Sequence, residues 1–578
     1  MRYLVLATDY DGTLATDGKV PDDALRSLAK LRESGRRLVL VTGRELEDLR
    51  SIFDRFDLFE WVVAENGAVL YRPEDRLLKP LAERPPDKFI EALRAGIERI
   101  SVGHVIAATW RPYENVVLNA IRRFGLELQV IFNKNAVMVL PSGTNKATGL
   151  AAALAEMGVS PHNVVAIGDA ENDHALLHAA EASAAVSNAV PMLREMADLV
   201  TRGDHGAGVM ELIELLLADD LAGLDTRLRH RHLLIGLRED GSELKLPPYG
   251  YNFLIGGTSG AGKSTFATAF LERLMEQQYQ FCVIDPEGDY QEFEGTVPVG
   301  SSRQAPDPAS IARVLNNPAQ NAVISLVGVP LNDRPKVFLE ALAELQSLRA
   351  RTGRPHWILV DEAHHVLPAA WETSNFVLPH GMSQVGFVTL EPDLVAQPIL
   401  KLVDVVIAAG GAPQETLANF AAAVGDRPPK LPRDSLEKGE LAVWARRSDR
   451  GPVLVQLVPG RLERRRHIRK YTEGEMEADR SFYFRGPEGK LNLRAQNLIL
   501  FMQIADGVDD ATWTYHLHKG DYAKWFEQCI KDPDLAEQTR AIEADPSLSP
   551  RESRERIRAM IEERYTLPGS ALARAKQK

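Results

Sequence analysis

Short, nearly uniform apolar runs recur along the first 220 residues, at Leu4–Ala7, Leu38–Val41, Trp61–Ala64 and Val164–Ile167. Each is too short for a helix and has the continuous apolar character of a strand covered on both faces. Between them lie amphipathic segments such as Asp22–Glu33 and Lys146–Met157, which suit helices with one buried face. Strand and helix in alternation predict a parallel sheet wrapped by helices. From about Leu77 to Ser142 the rhythm changes to helix, strand pairs and helix, a small α+β insertion over about residues 80–142. A polar, arginine-rich connection within Ala218–Arg231 follows. Strand-like segments at His232–Leu237 and Glu243–Leu246 then lead into a second α/β region that runs to about residue 460. The remainder, 461–578, opens with a basic strip (Arg461, Arg464, Arg465, Arg466, Arg469, Lys470) and continues as a mainly helical, aromatic-rich region. The expected division is therefore 1–220, a linker at 221–231, 232–460, and 461–578.

A chain of 578 residues is too long for one core, so several domains are expected. Hydrophobic residues at 45% and charged residues at 26% are the balance of an ordinary globular protein. The net charge of −12 argues against wholesale coating of nucleic acid and leaves room for a local basic groove. Two cysteines, Cys282 and Cys529, allow no disulfide framework, and a reducing, cytoplasmic location is the expectation. The opening Tyr3–Ala7 run meets Asp9 and Asp11 too soon for a signal peptide and reads as a buried strand. No apolar stretch approaches the ~20 residues of a membrane span, so no membrane partner is expected.

The first strand ends in Asp9-Tyr10-Asp11-Gly12-Thr13. Residues two apart on an extended chain project to the same side, so both carboxylates can converge on one pocket. Asp9 suits a nucleophile that attacks phosphorus, and Asp11 the acid that protonates the leaving oxygen and then activates water. Three further pieces fit the same chemistry. Thr42 ends the next strand with a hydroxyl for a phosphoryl oxygen, and Lys146 offers a cation at a helix start. Gly168-Asp169-Ala170-Glu171-Asn172-Asp173 then supplies carboxylates for a hard cation such as Mg²⁺.

In this order, Asp9/Asp11, Thr42, Lys146 and Asp169/Asp173 resemble the four motifs of the haloacid-dehalogenase superfamily, over about residues 1–215. The insertion between the second and third motifs, and Ala64-Glu65-Asn66-Gly67-Ala68 after Thr42, resemble the subgroup of sucrose-phosphate and phosphoglycolate phosphatases. The resemblance implies a Rossmann-like core with a cap that closes over substrate. It also implies magnesium bound by Asp9, the backbone carbonyl of Asp11 and Asp169, with Asp173 in support. Hydrolysis is favoured over a mutase reaction, because mutase relatives carry their cap between the first two motifs. In the cap, Arg111, Asn115 and Asn133 are candidate substrate contacts.

A second site follows. Gly257-Thr258-Ser259-Gly260-Ala261-Gly262-Lys263-Ser264-Thr265 fits GxxxxGK[ST] between the apolar strand Asn252–Ile255 and an amphipathic helix from about Ser264. Backbone N–H groups would wrap the phosphates of ATP, Lys263 would reach the β and γ phosphates, and Ser264 would face the nucleotide's magnesium. Trp357–Val360 runs into Asp361 and Glu362, the first suited to the magnesium shell and the second to polarising water. With Cys282-Val283-Ile284-Asp285-Pro286-Glu287-Gly288-Asp289-Tyr290, residues 232–460 resemble a RecA-like ATPase of the HerA/FtsK type. The sensor strand carries Thr389 where such motors usually show glutamine, and no arginine finger is assigned.

The C-terminal aromatics, Phe482–Phe484 with Tyr515, Tyr522, Trp525 and Phe526, read first as core, and His516 and His518 first as ordinary histidines. Two functions use every motif. One is a bifunctional enzyme that hydrolyses small phosphorylated metabolites beside an ATPase. The other is a nucleic-acid end-processing or translocating ATPase, or a kinase/phosphatase pair. A scaffold held as a homo-oligomer by ATP is a third class.

Overall fold

Five consecutive buried residues, Val5–Asp9, form the central strand of the first sheet in the computed structural model. The structure describes residues 1–133, 135–224, 227–258, 260–370, 383–433, 435–448, 451–460, 476, 480–530 and 532–565. Strands β1 (Val5–Asp9), β2 (Arg37–Val41), β3 (Trp61–Ala64), β4 (Val69–Arg72) and β5 (Leu77–Pro80) precede the insertion. Within it lie β6 (Ile100–Val102), β7 (Ala107–Trp110), β8 (Leu128–Asn133) and β9 (Ala136–Pro141). After it come β10 (Val164–Gly168), β11 (Ala182–Ala185) and β12 (Leu199–Val200). The first sheet has the order β12-β11-β10-β1-β2-β3-β4-β5, parallel from β12 to β3 and antiparallel beyond. Successive strands leave β1 first toward β2 and later toward β10, so the carboxyl ends of β10, β1 and β2 form a topological switch point, where ligands bind in open α/β sheets.

The helix Lys146–Met157 starts where Asn145 accepts from the backbone N–H groups of Ala147 and Thr148 while Thr148 bonds back to Asn145. It stops at Gly158 in a left-handed conformation, so its ends are specified locally. The cap departs from the expected element order. Helix Glu114–Phe124 stands between the strand pairs, giving helix, β6, β7, helix, β8, β9. Two helix–strand–strand repeats let all four strands join one antiparallel sheet, β6-β7-β9-β8, whose residues Ala107 and Val139 share a core with Phe89, Ile90, Leu93 and Val117 of the two helices.

The second large sheet contains β13 (Leu233–Leu237), β14 (Glu243–Leu246), β15 (Phe253–Gly256), β16 (Phe281–Asp285), β17 (Thr296–Val299) and β18 (Asn321–Ser325). It continues with β19 (Trp357–Val360), β20 (Val385–Thr389), β21 (Val405–Ala409), β22 (Glu440–Ala445) and β23 (Val453–Leu457). Its order is β14-β13-β23-β22-β21-β15-β20-β19-β16-β18-β17. The strand before the phosphate loop, β15, is thus separated from the acidic strand β19 by β20, which is parallel to both. Residues 1–458 are α/β, a Rossmann-like core with an α+β cap followed by a P-loop domain.

Residues 1–458 form one compact unit and 459–578 a second. What unites the first is a buried seam around Glu181, which is 0% exposed. Its carboxylate accepts from Arg2 Nη2 at 2.9 Å and from the Tyr279 hydroxyl at 3.0 Å, and lies 2.6 Å from His162 Nδ1. The His162 ring stacks on Tyr279 at 3.7 Å and its Nε2 reaches the carbonyl of Gln277. Arg354, fully buried, donates to the carbonyl of Gly158. The two α/β segments therefore share a polar, hydrogen-bonded boundary.

In the second unit β24 (Phe482–Phe484) and β25 (Leu493–Ala495) form a two-stranded ribbon packed with helices Leu498–Gly507, Asp510–Lys519, Asp521–Gln528, Pro533–Glu543 and Pro550–Tyr565. No described helix is long and apolar enough to cross a membrane.

Candidate active sites

Asp9 lies at the end of β1, Thr42 follows β2, and Asp169 follows β10, so three adjacent strands deliver three of the four motifs to one edge. Lys146 arrives at the first turn of its helix with its ammonium buried. It donates to Asp9 Oδ1 at 2.5 Å and to Asp173 Oδ1 at 2.6 Å. Asp173 Oδ2 accepts the backbone N–H groups of Asp169 and Ala170, both at 3.0 Å, which fixes its orientation. Asp169 is held by the Thr13 hydroxyl at 3.1 Å. Gly12, at φ +84°, passes so close that a Cβ there would lie 2.3 Å from the Asp169 carboxylate, and its carbonyl accepts from Asn188.

Oxygens of Asp9, Asp169 and Asp173 lie within 4.8 Å of one another, all buried. One ammonium faces three carboxylates, an uncompensated negative charge that a divalent cation with oxygen preference would balance. The electrostatics agree. Burial, followed by the Asp173 charge, raises the Asp9 carboxyl well above its ordinary value, and Lys146 offsets only part of this. For Lys146 burial lowers the pKa, but Asp173 and Asp9 outweigh it and keep the ammonium charged.

Asp11 projects to the same cavity and is gripped by Arg44, Nε to Oδ2 at 2.6 Å and Nη2 to Oδ1 at 2.7 Å. The third nitrogen of Arg44 reaches Asp48. The Thr42 hydroxyl accepts the backbone N–H of Arg44 at 3.1 Å. Above them is a cavity of about 460 Å³ roofed by cap residues Arg99, Ser101, Ile106, Ala108, Trp110, Ala136 and Met138, with Arg99 stacked 4.0 Å over Trp110. Glu45 lines it too, its carboxyl raised by burial and partly offset by Ser101.

The candidate cap contacts are corrected here. Arg111 and Asn115 are exposed and do not line the cavity: Arg111 covers Phe132, and the helix that carries Asn115 packs on the sheet face of Ala107 and Val139, opposite the face of Ala108, Trp110, Ala136 and Met138 that lines the cavity. The side chain of Asn133 lies outside the described residues. Sequence reasoning passed over Arg44, although it lies only two residues after Thr42, and had no local signal for Arg99 or Trp110.

Glu65 is a further residue without an assigned role. It has φ +53° and 0% exposure. Its carboxylate accepts from the backbone N–H groups of His104, Val105 and Ile106 at 2.8, 2.8 and 3.0 Å. These residues join β6 to β7, so the core fastens the cap at the edge of the cavity.

At the second site Gly257, Gly260 and Gly262 take φ of +151°, +78° and +95° in the turn between β15 and helix Lys263–Glu276. A Cβ on Gly257 would lie 2.2 Å from the carbonyl oxygen of Ala409. Lys263 donates to the carbonyls of Gly257 and Thr258 at 2.7 and 3.1 Å. Ala261 closes the turn onto Thr258, and Ser264 and Thr265 lie in the first helical turn. Ser259 lies outside the described residues.

Asp361 follows β19 at 4% exposure, its carboxyl raised well above the ordinary range by burial and then by Glu362. Glu362, at φ +38°, is raised by burial, while Lys263 is near enough to lower it. Its Oε2 has no hydrogen-bond partner among the described residues. His364 stands 3.5 Å away, held neutral by burial, which lowers it to about 4. Thr389 ends β20 in register with Gly256 and lies 3.4 Å from His364 Nδ1, between the phosphate loop and the acidic pair. Asp285 is committed elsewhere, accepting the N–H groups of Gly288, Asp289 and Tyr290 at 2.7, 3.0 and 2.8 Å.

Known proteins resemble the segment that holds the first of these sites. Residues 6–104 and 119–213 match the family model described as haloacid dehalogenase-like hydrolase. Phosphoglycolate phosphatase 2 of Saccharolobus solfataricus is 30% identical over 220 residues, 37% of this chain and 93% of the relative. The chain belongs to the haloacid dehalogenase-like hydrolases. A phosphoglycolate phosphatase of Methanothermobacter thermautotrophicus is 32% identical over 221 residues, 36% of this chain and 96% of its own. The crystal structure of Thermoplasma acidophilum 0175 aligns with a TM-score of 0.33 and 16% identity over 37% of this chain and 98% of that one. Residues 251–342 of this hydrolase match a second model, described as helicase HerA, central domain. The enzyme is thus a phosphatase joined to a HerA-type P-loop ATPase domain.

Proposed function

We propose that this chain is bifunctional, with residues 1–220 hydrolysing a small phosphate monoester and residues 232–460 binding and hydrolysing ATP, each with Mg²⁺. The observation that carries the first half is the buried Asp9–Lys146–Asp173–Asp169 cluster beneath a cavity of about 460 Å³. Asp9 attacks phosphorus, and Asp11, oriented by Arg44, protonates the leaving oxygen and then takes a proton from the water that cleaves the aspartyl-phosphate. Thr42 and Lys146 hold phosphoryl oxygens. A cation held by Asp9, Asp169 and the Asp11 carbonyl, with Asp173 behind, would neutralise the phosphoryl charge.

Cavity size favours a compact metabolite over a polymer end, and Arg99 in its roof gives a second anionic group of the substrate a partner. The relatives named above are phosphoglycolate phosphatases, and a phosphorylated carboxylic acid of that size suits Arg99. A screen of sugar phosphates, phosphoglycolate and 5′-phosphorylated DNA, comparing wild type with Arg99→Ala, tests this. Preference for phosphoglycolate that Arg99→Ala removes supports it, and preference for the DNA end contradicts it.

For the second half, Asp361 and Ser264 suit the magnesium of ATP and Glu362 the attacking water. The match to the HerA central domain favours a second reading, a nucleic-acid-stimulated ATPase. The basic strip Arg461–Lys470 that would serve it lies outside the described residues. ATPase rates measured with and without added DNA separate the two, strong stimulation favouring the second.

A further inference from the structure

Neither nucleotide nor phosphomonoester chemistry uses the aromatic stretches of the C-terminal unit. Most of those rings are core. Phe482, Phe484, Phe501, Trp513, Tyr522, Trp525 and Phe526 are buried against one another. Tyr483 and Tyr515 are not in that core, and with one edge of Trp525 they line a cavity of about 330 Å³. Around it stand Arg485, which follows β24, Lys519 at the end of helix Asp510–Lys519, and Lys524 on helix Asp521–Gln528, all exposed.

The one carboxylate among the lining residues, Asp521, is already engaged. His516, 5% exposed, accepts the backbone N–H of Arg485 at Nε2 (3.0 Å), so its proton sits on Nδ1 and is donated to Asp521 at 2.7 Å. That leaves three cations around one small cavity, and none of them is ion-paired among the described residues. The nearest polar partner of Lys519 is the Tyr515 hydroxyl at 2.5 Å, beneath whose ring it also lies, 4.1 Å from the centre. Asp521 offsets only one of the three positive charges, so the excess repels, and in a chain of net charge −12 it does not follow from composition. An anion removes the repulsion, and a guanidinium fork beside two ammonium groups suits the three oxygens of a phosphate monoester. The tyrosine and tryptophan walls suit a ring. The volume lies at the lower end of the ~300–1,000 Å³ of ligand pockets, room for one small molecule.

We propose that this cavity binds a small phosphate monoester that carries a ring, of nucleoside-monophosphate size, with Arg485, Lys519 and Lys524 on the phosphate and Tyr483, Tyr515 and Trp525 around the ring. The site is separate in sequence from both enzymatic sites and gives the C-terminal unit a ligand of its own.

Titration calorimetry on the full chain carrying Asp9→Asn and Lys263→Ala, in magnesium-free buffer, tests it with AMP, ribose 5-phosphate, adenosine, inorganic phosphate and a single-stranded oligonucleotide. AMP or ribose 5-phosphate should bind, inorganic phosphate should compete, and adenosine should bind at least tenfold more weakly than AMP. Adding Arg485→Gln and Lys524→Gln, both exposed and outside the core, should weaken the ester at least tenfold without lowering the melting temperature. AMP tighter than ribose 5-phosphate marks a nucleotide, and the reverse marks a sugar phosphate. Binding unchanged by the charge substitutions, no binding of either ester, adenosine equal to AMP, or binding of the oligonucleotide alone would each overturn the proposal.

Discussion

Glu65 offers a measurable test of how the cap is held. Replacing it with alanine removes a buried carboxylate that accepts three backbone N–H groups at 2.8–3.0 Å and leaves those donors without their partner. A hydrogen bond to a charged group contributes ~1.5–3 kcal/mol, and the three share one acceptor group, so Glu65→Ala should cost the phosphatase about 3–6 kcal/mol. Glu65→Gln keeps one oxygen. If that oxygen takes the place of Oε2, Val105 and Ile106 stay bonded and an amide N–H faces that of His104, for a cost of about 1–2 kcal/mol. Hydrogen exchange reads this residue by residue. The amides of 104, 105 and 106 should lose protection in the order wild type, Glu65→Gln, Glu65→Ala. Because Ser101 and Ile106 line the cavity while Asp9 and Lys146 stand on the core, KM should rise more than kcat falls. Unchanged protection and unchanged KM in Glu65→Ala would refute the idea that this carboxylate fixes the cap.

Glu362→Gln should retain ATP binding and slow hydrolysis by about 100-fold or more, as loss of a water-polarising base does, whereas Lys263→Ala should abolish binding; nucleotide titration beside a phosphate-release assay distinguishes them. Glu181→Ala strands Arg2, Arg231 and His162 at the seam, and breaking a buried ionic cluster costs ~3–5 kcal/mol, so both activities should be lost at a lower temperature and together. In the second unit burial raises the Glu543 carboxyl from 4.5 to about 7, although the N–H groups of Ala523 and Tyr522 donate to it. A folded pKa above the unfolded one gives stability that is full below 4.5 and lost as pH rises through about 7. The melting temperature of that unit should therefore fall across this window, and Glu543→Gln should flatten the fall.

The loops that carry Asp9 and Lys263 were legible because their signals are local. An apolar run ending in Asp9-Tyr10-Asp11-Gly12 or in a glycine-rich loop before Lys263 announces both the strand and the turn after it. Helices Asp22–Glu33 and Lys146–Met157 were readable to the residue, because the second carries its own caps. What was not legible depends on partners distant in the chain. Glu181 meets residues 2, 162, 231 and 279, and nothing near it in sequence marks it. Arg99 and Trp110 enter the cavity only because the cap folds as two helix–strand–strand repeats. Arg44 was in plain sight, but its grip on Asp11 needs the turn after β1 to lie beside the turn after β2.

The central claim is that Asp9 is the nucleophile of a phosphomonoesterase. Acid quenching during turnover of a ³²P-labelled substrate measures it most directly. Wild type with magnesium should yield radiolabel covalently attached to the peptide containing Asp9, and Asp9→Asn should yield neither label nor turnover. Label or magnesium-dependent turnover that survives Asp9→Asn would contradict the account.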